Sequence, residues 1–356
     1  MTAIFYKKEA EAFAEKLVRI LNDGAIALAM SVGHRTWLFD VMEHLPHSTS
    51  QEIAETAGLN ERYVREWLAI MVTSSFINYD REAKTYYLPP EHSAFLTRTA
   101  NANNFATLAQ YISQLGNVED EIVESFHNGG GVPYSHFQRF QQIMAEDSGQ
   151  NLVFYLIESV LPLVPGIVPN LEKGILVLDV ACGSGKALNK MAKAFPRSQF
   201  IGYDLSPQGI SFAQKEAKQQ QLTNIQFEVK DAATIDDIEK YDFITTFNAI
   251  CDLAHPDLVL ENIYQALRPQ GFYLMQDINA QTDLGDNLHH PLAPLLYTIS
   301  CMHSMTVSLA EGGAGLGTMW GQEKALAMLQ KAGFATVEIK QLERDIISNY
   351  YVIQKS

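Results

Sequence analysis

The chain has 356 residues, 47% of them hydrophobic, and a formal net charge of −15. This length exceeds one typical domain and predicts two, while the negative charge speaks against nucleic acid as the default partner. The sequence has neither a run of 18 apolar residues nor a leader-like start, so we expect no membrane partner and a cytoplasmic location. Three scattered cysteines suit that reducing compartment, and no ligand spacing predicts a metal site.

The N-terminal region carries clear helix signals. Residues 25–33, AIALAMSVG, form an apolar helical pattern that suits either a partner-facing surface or an internal core helix. Thr49 and Glu52 supply a cap and an early acid for a helix that Gly58 ends, and Asn60 caps the next helix. The apolar face of that next helix is predicted at Tyr63, Trp67, Leu68 and Met71.

An alternating stretch that turns at Asp80-Arg81 predicts a small hairpin after these helices, which together are typical of a winged helix-turn-helix. A module of this kind that reads DNA shows a basic footprint. Residues 1–100 instead hold 10 Lys and Arg against 13 Asp and Glu, and Glu61 and Glu66 flank Arg62 and Arg65 on the helix that would enter the groove. We therefore expect no nucleic-acid partner.

A glycine-rich stretch, GGGVPYSHFQRF at residues 129–140, follows. It either closes over a bound ligand through Tyr134, together with Met144, or serves as a plain linker between domains.

The stretch VLDVACGSGKALNKMAKAF predicts a strand, a glycine turn and a helix. A P-loop requires Gly where Val180 stands and Ser or Thr where Ala187 stands. A dinucleotide fingerprint requires Gly or Ala at Leu188. What remains is an ordinary strand-to-helix turn, or a turn for a ligand without pyrophosphate such as S-adenosylmethionine, whose amino acid tail Gly183 and Gly185 would approach closely.

Further strands alternate with helices after this turn, and polar groups follow their ends. Asp204 ends the second strand and matches the two hydroxyls of a ribose. Asp231-Ala232 follows the third strand, in place for an adenine amino group, and Asn248 follows the fourth. A fifth strand and a terminal pair, ATVEIKQL and NYYVIQKS, complete a mostly parallel sheet with helices on both faces. The strand ends converge on one nucleoside.

Residues 171–280 resemble the class I S-adenosylmethionine-dependent methyltransferases in the successive motifs LDVACGSG, GYDLS, VKDA, TTFNAICD and LRPQGFYLMQD. Ala181 replaces the first glycine of the usual turn. The resemblance implies a Rossmann-like α/β sheet of seven strands, the last one antiparallel, and S-adenosylmethionine as cofactor. The implied cofactor-binding residues are Asp179, Ala181, Gly183, Gly185, Asp204, Leu205, Asp231, Ala232, Asn248, Tyr134 and Met144.

Nearly the whole chain is similar to the plant-type small-molecule O-methyltransferases, and more so to a bacterial branch of winged-helix methyltransferases with largely unassigned substrates. The motifs are GHRTWLFD, NERYVREWL, LPPEH, GGGVPYSHF, MAEDS and GLGTMWG. This resemblance implies a homodimer joined through the N-terminal domains. The predicted domains are a winged-helix and dimerisation domain at 1–100, a helical connection at 101–165 and a cofactor-binding domain at 166–356.

The plant-type enzymes carry a His-Asp pair after the fourth strand, with the His as base, but Cys251 stands at the His position here, next to Asp252. The candidate catalytic residues are therefore Asp252, His255 and His289, with His303 as a further histidine. An insertion at about 280–321 is long enough for a lid, although it equally suits extra core helix. Its apolar side chains predict an acceptor pocket, formed by Tyr297, Met302, Met305, Met319 and Trp320.

These features predict methyl transfer from S-adenosylmethionine to a small, largely apolar molecule, with O-methylation favoured. The alternative is a non-catalytic regulatory protein that binds the cofactor or another ligand on the same scaffold. The departure at Cys251 is what keeps that alternative open.

Overall fold

The computed structural model describes residues 6–356, and the chain divides into two compact units, one up to Gly116 and one from Asn117 to Ser356. The first five residues of the predicted domain 1–100 lie outside the described residues. The helix that ends at Gly116 belongs to the first unit, and the segment after it to the second. The three-part division at 100 and 165 stays a prediction.

The first unit is mainly helical and contains one small hairpin. Its elements are α1 Lys7–Arg35, α2 Leu38–Glu43, α3 Ser50–Ala57, α4 Glu61–Thr73, β1 Asn78–Asp80, β2 Thr85–Tyr87, α5 Pro90–Leu96 and α6 Phe105–Gly116. The caps form as expected, because the Thr49 hydroxyl accepts from the Glu52 N–H while the Glu52 carboxylate accepts from the Thr49 N–H. Helix α3 ends at Gly58 with φ 66°, and the Asn60 side chain caps α4. The predicted winged helix-turn-helix pattern is confirmed.

Helix α4 packs against α1 through one apolar face. Its buried residues are Val64, Trp67, Leu68 and Met71. The Trp67 indole N–H donates to the carbonyl of Ala29, 2.9 Å away, which fixes the two helices together. Tyr63, predicted on this face, is 81% exposed. That prediction is wrong, because Val64 takes the inward position.

The second unit begins with helices that precede its sheet: α7 Glu119–Asn128, α8 Phe140–Gln150, α9 Leu152–Tyr155 and α10 Ile167–Lys173. Between α7 and α8, residues 134–136 form a single 3₁₀ turn. Among residues 6–356 no single helix is long and apolar enough to cross a bilayer. One bent pair, Phe140–Leu163 with Ile167–Lys173, meets that test by length and composition alone.

The sheet has seven strands: β3 Leu176–Val180, β4 Gln199–Asp204, β5 Ile225–Val229, β6 Tyr241–Phe247, β7 Leu267–Ile278, β8 Val337–Leu342 and β9 Asp345–Gln354. Their order is β5-β4-β3-β6-β7-β9-β8. The five strands β3 to β7 are parallel to one another, and β9 runs antiparallel to both of its neighbours, β7 and β8. The predicted seven-stranded sheet with an antiparallel last strand is confirmed.

Both faces of the sheet are covered, which explains the nearly continuous apolar runs of its central strands. Leu178, Val180 and Ile244 join one core with helices α13 Pro256–Ala266 and α16 Gln322–Lys331. Val177 and Phe243 join the other core with α11 Lys186–Ala194 and α12 Pro207–Gln219. The carboxyl ends of β3 to β7 therefore open at one edge, where ligands of such sheets bind.

The insertion between β7 and α16 is largely helical. It contains α14 Ala293–Ile299, a wide π-helical turn at Ser300–Ser304 and α15 Met305–Ala310. A glycine-rich stretch at 311–317 leads from α15 back to the sheet.

Candidate functional site

In the turn after β3, every second residue has a left-handed backbone conformation. These residues are Ala181 at φ 56°, Gly183 at φ 56° and Gly185 at φ 68°. A Cβ on Gly185 would lie 2.6 Å from Ala213 and Phe227, so this glycine is required by both its conformation and its surroundings. A Cβ on Gly183 would meet nothing within 4 Å. Gly183 therefore faces open space, as a backbone that approaches a ligand must.

Ala181 adopts a conformation that glycine tolerates more easily. Its backbone strain is of the order of 1–2 kcal/mol. Ala181, which replaces the first glycine of the usual turn, thus adopts the left-handed conformation itself.

Asp179, at the end of β3, lies beneath the turn and not in it. Its side chain is buried, and the Thr245 hydroxyl donates to one carboxylate oxygen at 2.7 Å. Burial raises the pKa of Asp179 to about 7, although the bond from Thr245 works in the opposite direction. The nearby Asp204 carboxylate adds to the rise.

Asp204 joins the glycine turn to β4. One of its oxygens accepts from the Gly183 N–H at 2.8 Å, and the other accepts from the Ser206 N–H at 2.8 Å. Burial raises the pKa of Asp204, and these two bonds oppose the rise. Each oxygen keeps a further lone pair for a ligand donor. Leu205, next in the chain, is exposed.

The remaining strand-end residues differ in their surroundings. Asp231 is exposed, and its carboxylate caps the following 3₁₀ turn by accepting from the Ala233 N–H at 2.9 Å. Ala232 is buried. Asn248 has φ 50°, and its side-chain oxygen is buried without a hydrogen-bond partner within residues 6–356. An orphaned buried acceptor directly after β6, the strand that pairs with β3, fits a ligand that brings an N–H or O–H donor.

Tyr134 contacts the insertion, because its ring lies against that of His303 with the ring centroids 5.7 Å apart. Burial raises its pKa, and the carboxylates of Asp252 and Asp204 contribute to the rise. The segment that carries it is anchored by Gly131, which packs against the backbone of Thr306 so closely that a Cβ would lie 1.9 Å from the Thr306 carbonyl oxygen. Met144 is half-buried on α8, and its role stays a prediction.

Asp252 ends the short turn Ile250–Asp252 after β6. The Cys251 thiol donates to its carboxylate at 3.4 Å. Burial raises the pKa of Asp252 to about 6. Burial likewise raises the pKa of the Cys251 thiol, so the group at the usual His position is neutral and is not a base.

The three candidate histidines, His255, His289 and His303, lie either at the surface or among aromatic rings. His255 and His289 are exposed side chains, and His255 begins α13 at the surface. His303 is buried and stacked on Phe140, with ring centroids 3.5 Å apart. Burial lowers the pKa of His303 to about 3, so its ring is neutral. The structure brings only Asp252, of these candidates, into the strand-end site.

Asp277, at the end of β7, is a residue that sequence reasoning missed. It is fully buried, and burial raises its pKa to about 7. The Asp252 carboxylate contributes to this rise. The signal was present in the sequence, since Asp277 ends a parallel strand in the same way as Asp204.

A cavity of about 440 Å³ lies against the π-helical turn, whose Cys301 is part of its wall. Its walls come from α7, Gly129 and Gly130, and from the segment that includes Met305 and Gly313. Of the side chains predicted to form an acceptor pocket, Met305 lines it, whereas Met319 and Trp320 are buried in hydrophobic cores.

Comparison with known proteins agrees with this geometry. Residues 24–98 match the model of the Rv2258c-like winged HTH domain, and residues 171–333 match the model of a methyltransferase domain. The malonyl-[acyl-carrier protein] O-methyltransferase of Bacillus cereus is 24% identical over 165 residues, which are 46% of this chain and 55% of the relative. The chain thus spans about half the length of that curated relative.

Two solved structures share the fold over almost the whole chain. Human N-acetylserotonin methyltransferase in complex with SAM superposes with a TM-score of 0.67 at 16% identity and covers 100% of both chains. The structure of mitomycin 7-O-methyltransferase superposes with a TM-score of 0.70 at 15% identity, and the match covers 98% of this chain and 100% of that chain. The protein therefore carries a winged helix-turn-helix domain and a methyltransferase domain, and the resemblance drawn from the sequence is confirmed at the level of domains and fold.

Proposed function

We propose that this protein transfers the methyl group of S-adenosylmethionine to a small, largely apolar molecule. The observation that carries the proposal is the row of strand-end groups around Gly183, where Asp204 retains lone pairs and Asn248 has an unpartnered buried oxygen. In this proposal Asp204 binds the ribose hydroxyls, and the backbone at Gly183 and Gly185 approaches the amino acid tail. The matched methyltransferase domain supports the same activity.

When bound, S-adenosylmethionine supplies a methyl group on a positively charged sulfur. The residues of this chain orient the acceptor, exclude water and remove a proton. Asp204 and the backbone at Gly183 and Gly185 would hold the cofactor, which would supply its methyl group to a lone pair of the acceptor atom. In this proposal the acceptor's proton passes to the Asp252 carboxylate and from there to water.

Asp252 takes this role because it lies in the turn after β6, at the strand ends, and burial raises its pKa to about 6, close to neutral pH. His255 and His289 are exposed, and His303 is neutral and packed among aromatic rings. Oxygen remains the favoured acceptor atom, in line with the O-methyltransferases among the similar proteins.

The first experiment is a calorimetric titration with S-adenosylmethionine and, separately, with its demethylated product. We expect micromolar binding of both, followed by turnover in a screen of small apolar acceptors. Asp252→Asn should lose turnover but keep cofactor affinity, while the matched variant His289→Ala keeps both. Binding without turnover on any acceptor would favour the non-catalytic alternative, and no binding of either compound would end the proposal.

The cavity of about 440 Å³ is proposed to receive the apolar body of the acceptor. Gly313 in its wall packs against Ala254, two residues from Asp252, and this contact supports an acceptor site next to the proposed base. Leu309→Trp should fill the cavity and raise the acceptor KM while the cofactor Kd stays unchanged. Leu284→Trp, an exposed position of the same insertion, is the control and should change neither.

A homodimer through the N-terminal domain is proposed from the surface of α1. Large apolar side chains along this helix are exposed, namely Phe13, Leu17, Ile20, Leu21 and Leu28. Their spacing forms a stripe along one side of a long helix, which a second copy of the same helix matches. Leu21→Glu should convert a dimer into a monomer of 39.8 kDa in light scattering, whereas Ile238→Glu, an exposed apolar position of the second unit, should not.

The winged-helix domain is proposed to have no nucleic-acid partner. Arg62 and Arg65 on α4 are engaged by Glu66 at 2.5 Å and Glu61 at 3.5 Å. We expect no shift of random duplex DNA at low salt, and a salt-sensitive shift would contradict this.

We propose a cytoplasmic location, which the thiols support. Cys182, Cys251 and Cys301 are all free. Thiol titration of the unfolded protein, purified without reductant, should give three equivalents per chain. A lower value would point to an oxidising compartment.

A further inference from the structure

Four aromatic side chains meet where the segment before α8 packs on the insertion, and we call this cluster the aromatic clamp. It consists of Tyr134, Phe137, Phe140 and His303. The His303 ring is stacked on Phe140, with the ring centroids 3.5 Å apart and the planes 8° from parallel. Phe137 and Tyr134 meet it edge-on, at centroid distances of 4.7 and 5.7 Å. The rings around the imidazole therefore hold it in one orientation.

One ring nitrogen of the clamp has no partner. The Nε2 atom of His303 is buried without a hydrogen bond in the described part of the chain, and the whole residue is 1% exposed. Buried polar atoms normally have a partner, because an unpaired one has lost its bonds to water. Phenylalanine would stack on Phe140 without this penalty. The packing of the clamp thus requires a ring but not a nitrogen, and the nitrogen fits a bond to a ligand.

The two helices beside the clamp connect it to the strand-end site. Phe140 begins α8, and Gly149, nine residues later, packs against the Lys186 side chain, where a Cβ would lie 3.3 Å from Nζ. Lys186 begins α11, directly after the glycine turn, and nine residues of helix span about 14 Å. On the other side, the Ser308 hydroxyl of α15 donates to the carbonyl of Leu253, just beyond β6, at 3.0 Å. Helices α8 and α15 therefore reach from the clamp to the carboxyl ends of β3 and β6.

The charge around the clamp favours a neutral ligand group. Burial lowers the pKa of His303 to about 3, so these surroundings disfavour a positive charge. The carboxylates of Asp252 and Asp204 contribute to the raised pKa of Tyr134, so a further negative charge is disfavoured as well. A hydroxyl group is uncharged and both donates and accepts, so it matches Nε2 in either tautomer of the neutral ring. Tyr134 is half-buried, which leaves ring surface for an aromatic ligand.

We propose that His303 is a specificity-determining residue, whose Nε2 atom bonds a hydroxyl group of an uncharged aromatic acceptor. The inference rests on the proposed function, and it narrows the small, largely apolar acceptor to this class. His303 orients the acceptor and takes no proton from it, because the pKa of the ring lies far below neutral pH. An analogue with a methyl group in place of the hydroxyl leaves Nε2 unpaired and is therefore discriminated against.

Phenol and toluene test the inference, because a methyl group in toluene takes the place of the hydroxyl in phenol. Both are titrated by NMR against the protein in an excess of the demethylated cofactor product. His303→Phe keeps the stack on Phe140 and removes the ring nitrogens. The phenol Kd should rise by about tenfold in this variant, while the toluene Kd changes by less than about twofold. His289→Phe, the same exchange at an exposed position of the insertion, is the control and should leave both values unchanged.

A second readout uses the wild-type protein alone, so it holds even if His303→Phe folds poorly. The Nε2 resonance of His303, identified through the contacts of its ring with Phe140, should move when phenol is added and stay in place with toluene. These results without turnover on any acceptor support the inference while the proposed function fails. Turnover with equal phenol and toluene Kd values in wild type and His303→Phe overturns the inference alone. A resonance that phenol leaves in place overturns it as well.

Discussion

Replacement of Asp204 tests the cofactor site most directly. Its two oxygens accept from the Gly183 and Ser206 N–H groups at 2.8 Å each, and in the proposed complex they also accept from the two ribose hydroxyls. A hydrogen bond to a charged group contributes about 1.5–3 kcal/mol. Loss of both ribose bonds in Asp204→Ala should therefore weaken binding by about 3–6 kcal/mol, which is roughly 150- to 25,000-fold in Kd.

The controls separate the ribose contacts from the shape of the turn. Ser206→Ala removes the side-chain cap of α12, in which the hydroxyl accepts from the Gly209 N–H, but leaves the Asp204 carboxylate in place. It should cost about 1 kcal/mol of stability and little affinity. Asp231→Ala changes an exposed acid and should weaken binding less than Asp204→Ala. The assay is calorimetric titration with cofactor and product at matched concentrations.

The cofactor affinity of Asp204→Ala can refute the assignment of this site. If folded Asp204→Ala binds S-adenosylmethionine within about threefold of wild type, less than 1 kcal/mol has been lost. The ribose then lies elsewhere, and the assignment of the glycine turn and its neighbours fails with it.

Three further predictions concern stability and catalysis. Gly185→Ala should lower the free energy of unfolding by about 3 kcal/mol or more, and Gly183→Ala by about 1 kcal/mol. The two differ because only a Cβ on residue 185 would meet buried side chains, at 2.6 Å. Equal losses for the two variants in chemical denaturation would contradict the open space at Gly183. Burial raises the folded-state pKa of Asp277 from 3.8 to about 7, so its contribution to stability is present at low pH and is lost as the pH rises through 7. Asp277→Asn should accordingly raise Tm more at pH 8 than at pH 5, and the reverse order would show that its carboxylate is stabilised in the folded state. His255→Ala should keep the wild-type kcat, whereas Asp252→Asn should lose about 100-fold or more, and the opposite pattern would move the base to the surface histidine.

Local patterns were enough to predict much of the fold. The cap at Thr49, the stop at Gly58 and the turn at Asp80 depend on side chains that bond their own backbone within a few residues. The alternation of apolar strands with helices likewise predicted the parallel sheet, and an acid or amide after each strand predicted the row of groups at its open edge. The glycine turn after β3 was predictable in the same way, because its left-handed backbone positions depend on adjacent residues.

The surroundings of individual side chains were decided by the tertiary structure. Asp252 and His255 are three residues apart, yet Asp252 is half-buried and accepts from the Cys251 thiol, whereas His255 is exposed directly before α13. Tyr63 was predicted inward and lies outward, because a helical pattern gives a face only to within one residue.

The sequence by itself determined the order of elements, the glycine turn and the acids that end the strands, since these follow from local conformation and apolar periodicity. Only the tertiary structure decided that the hydroxyls of Ser304 and Thr318 meet at 2.7 Å and that the Cys251 thiol, beside Asp252, is buried and neutral. Burial and long-range hydrogen bonds set the protonation of these groups, and neither is encoded in the spacing of neighbouring residues.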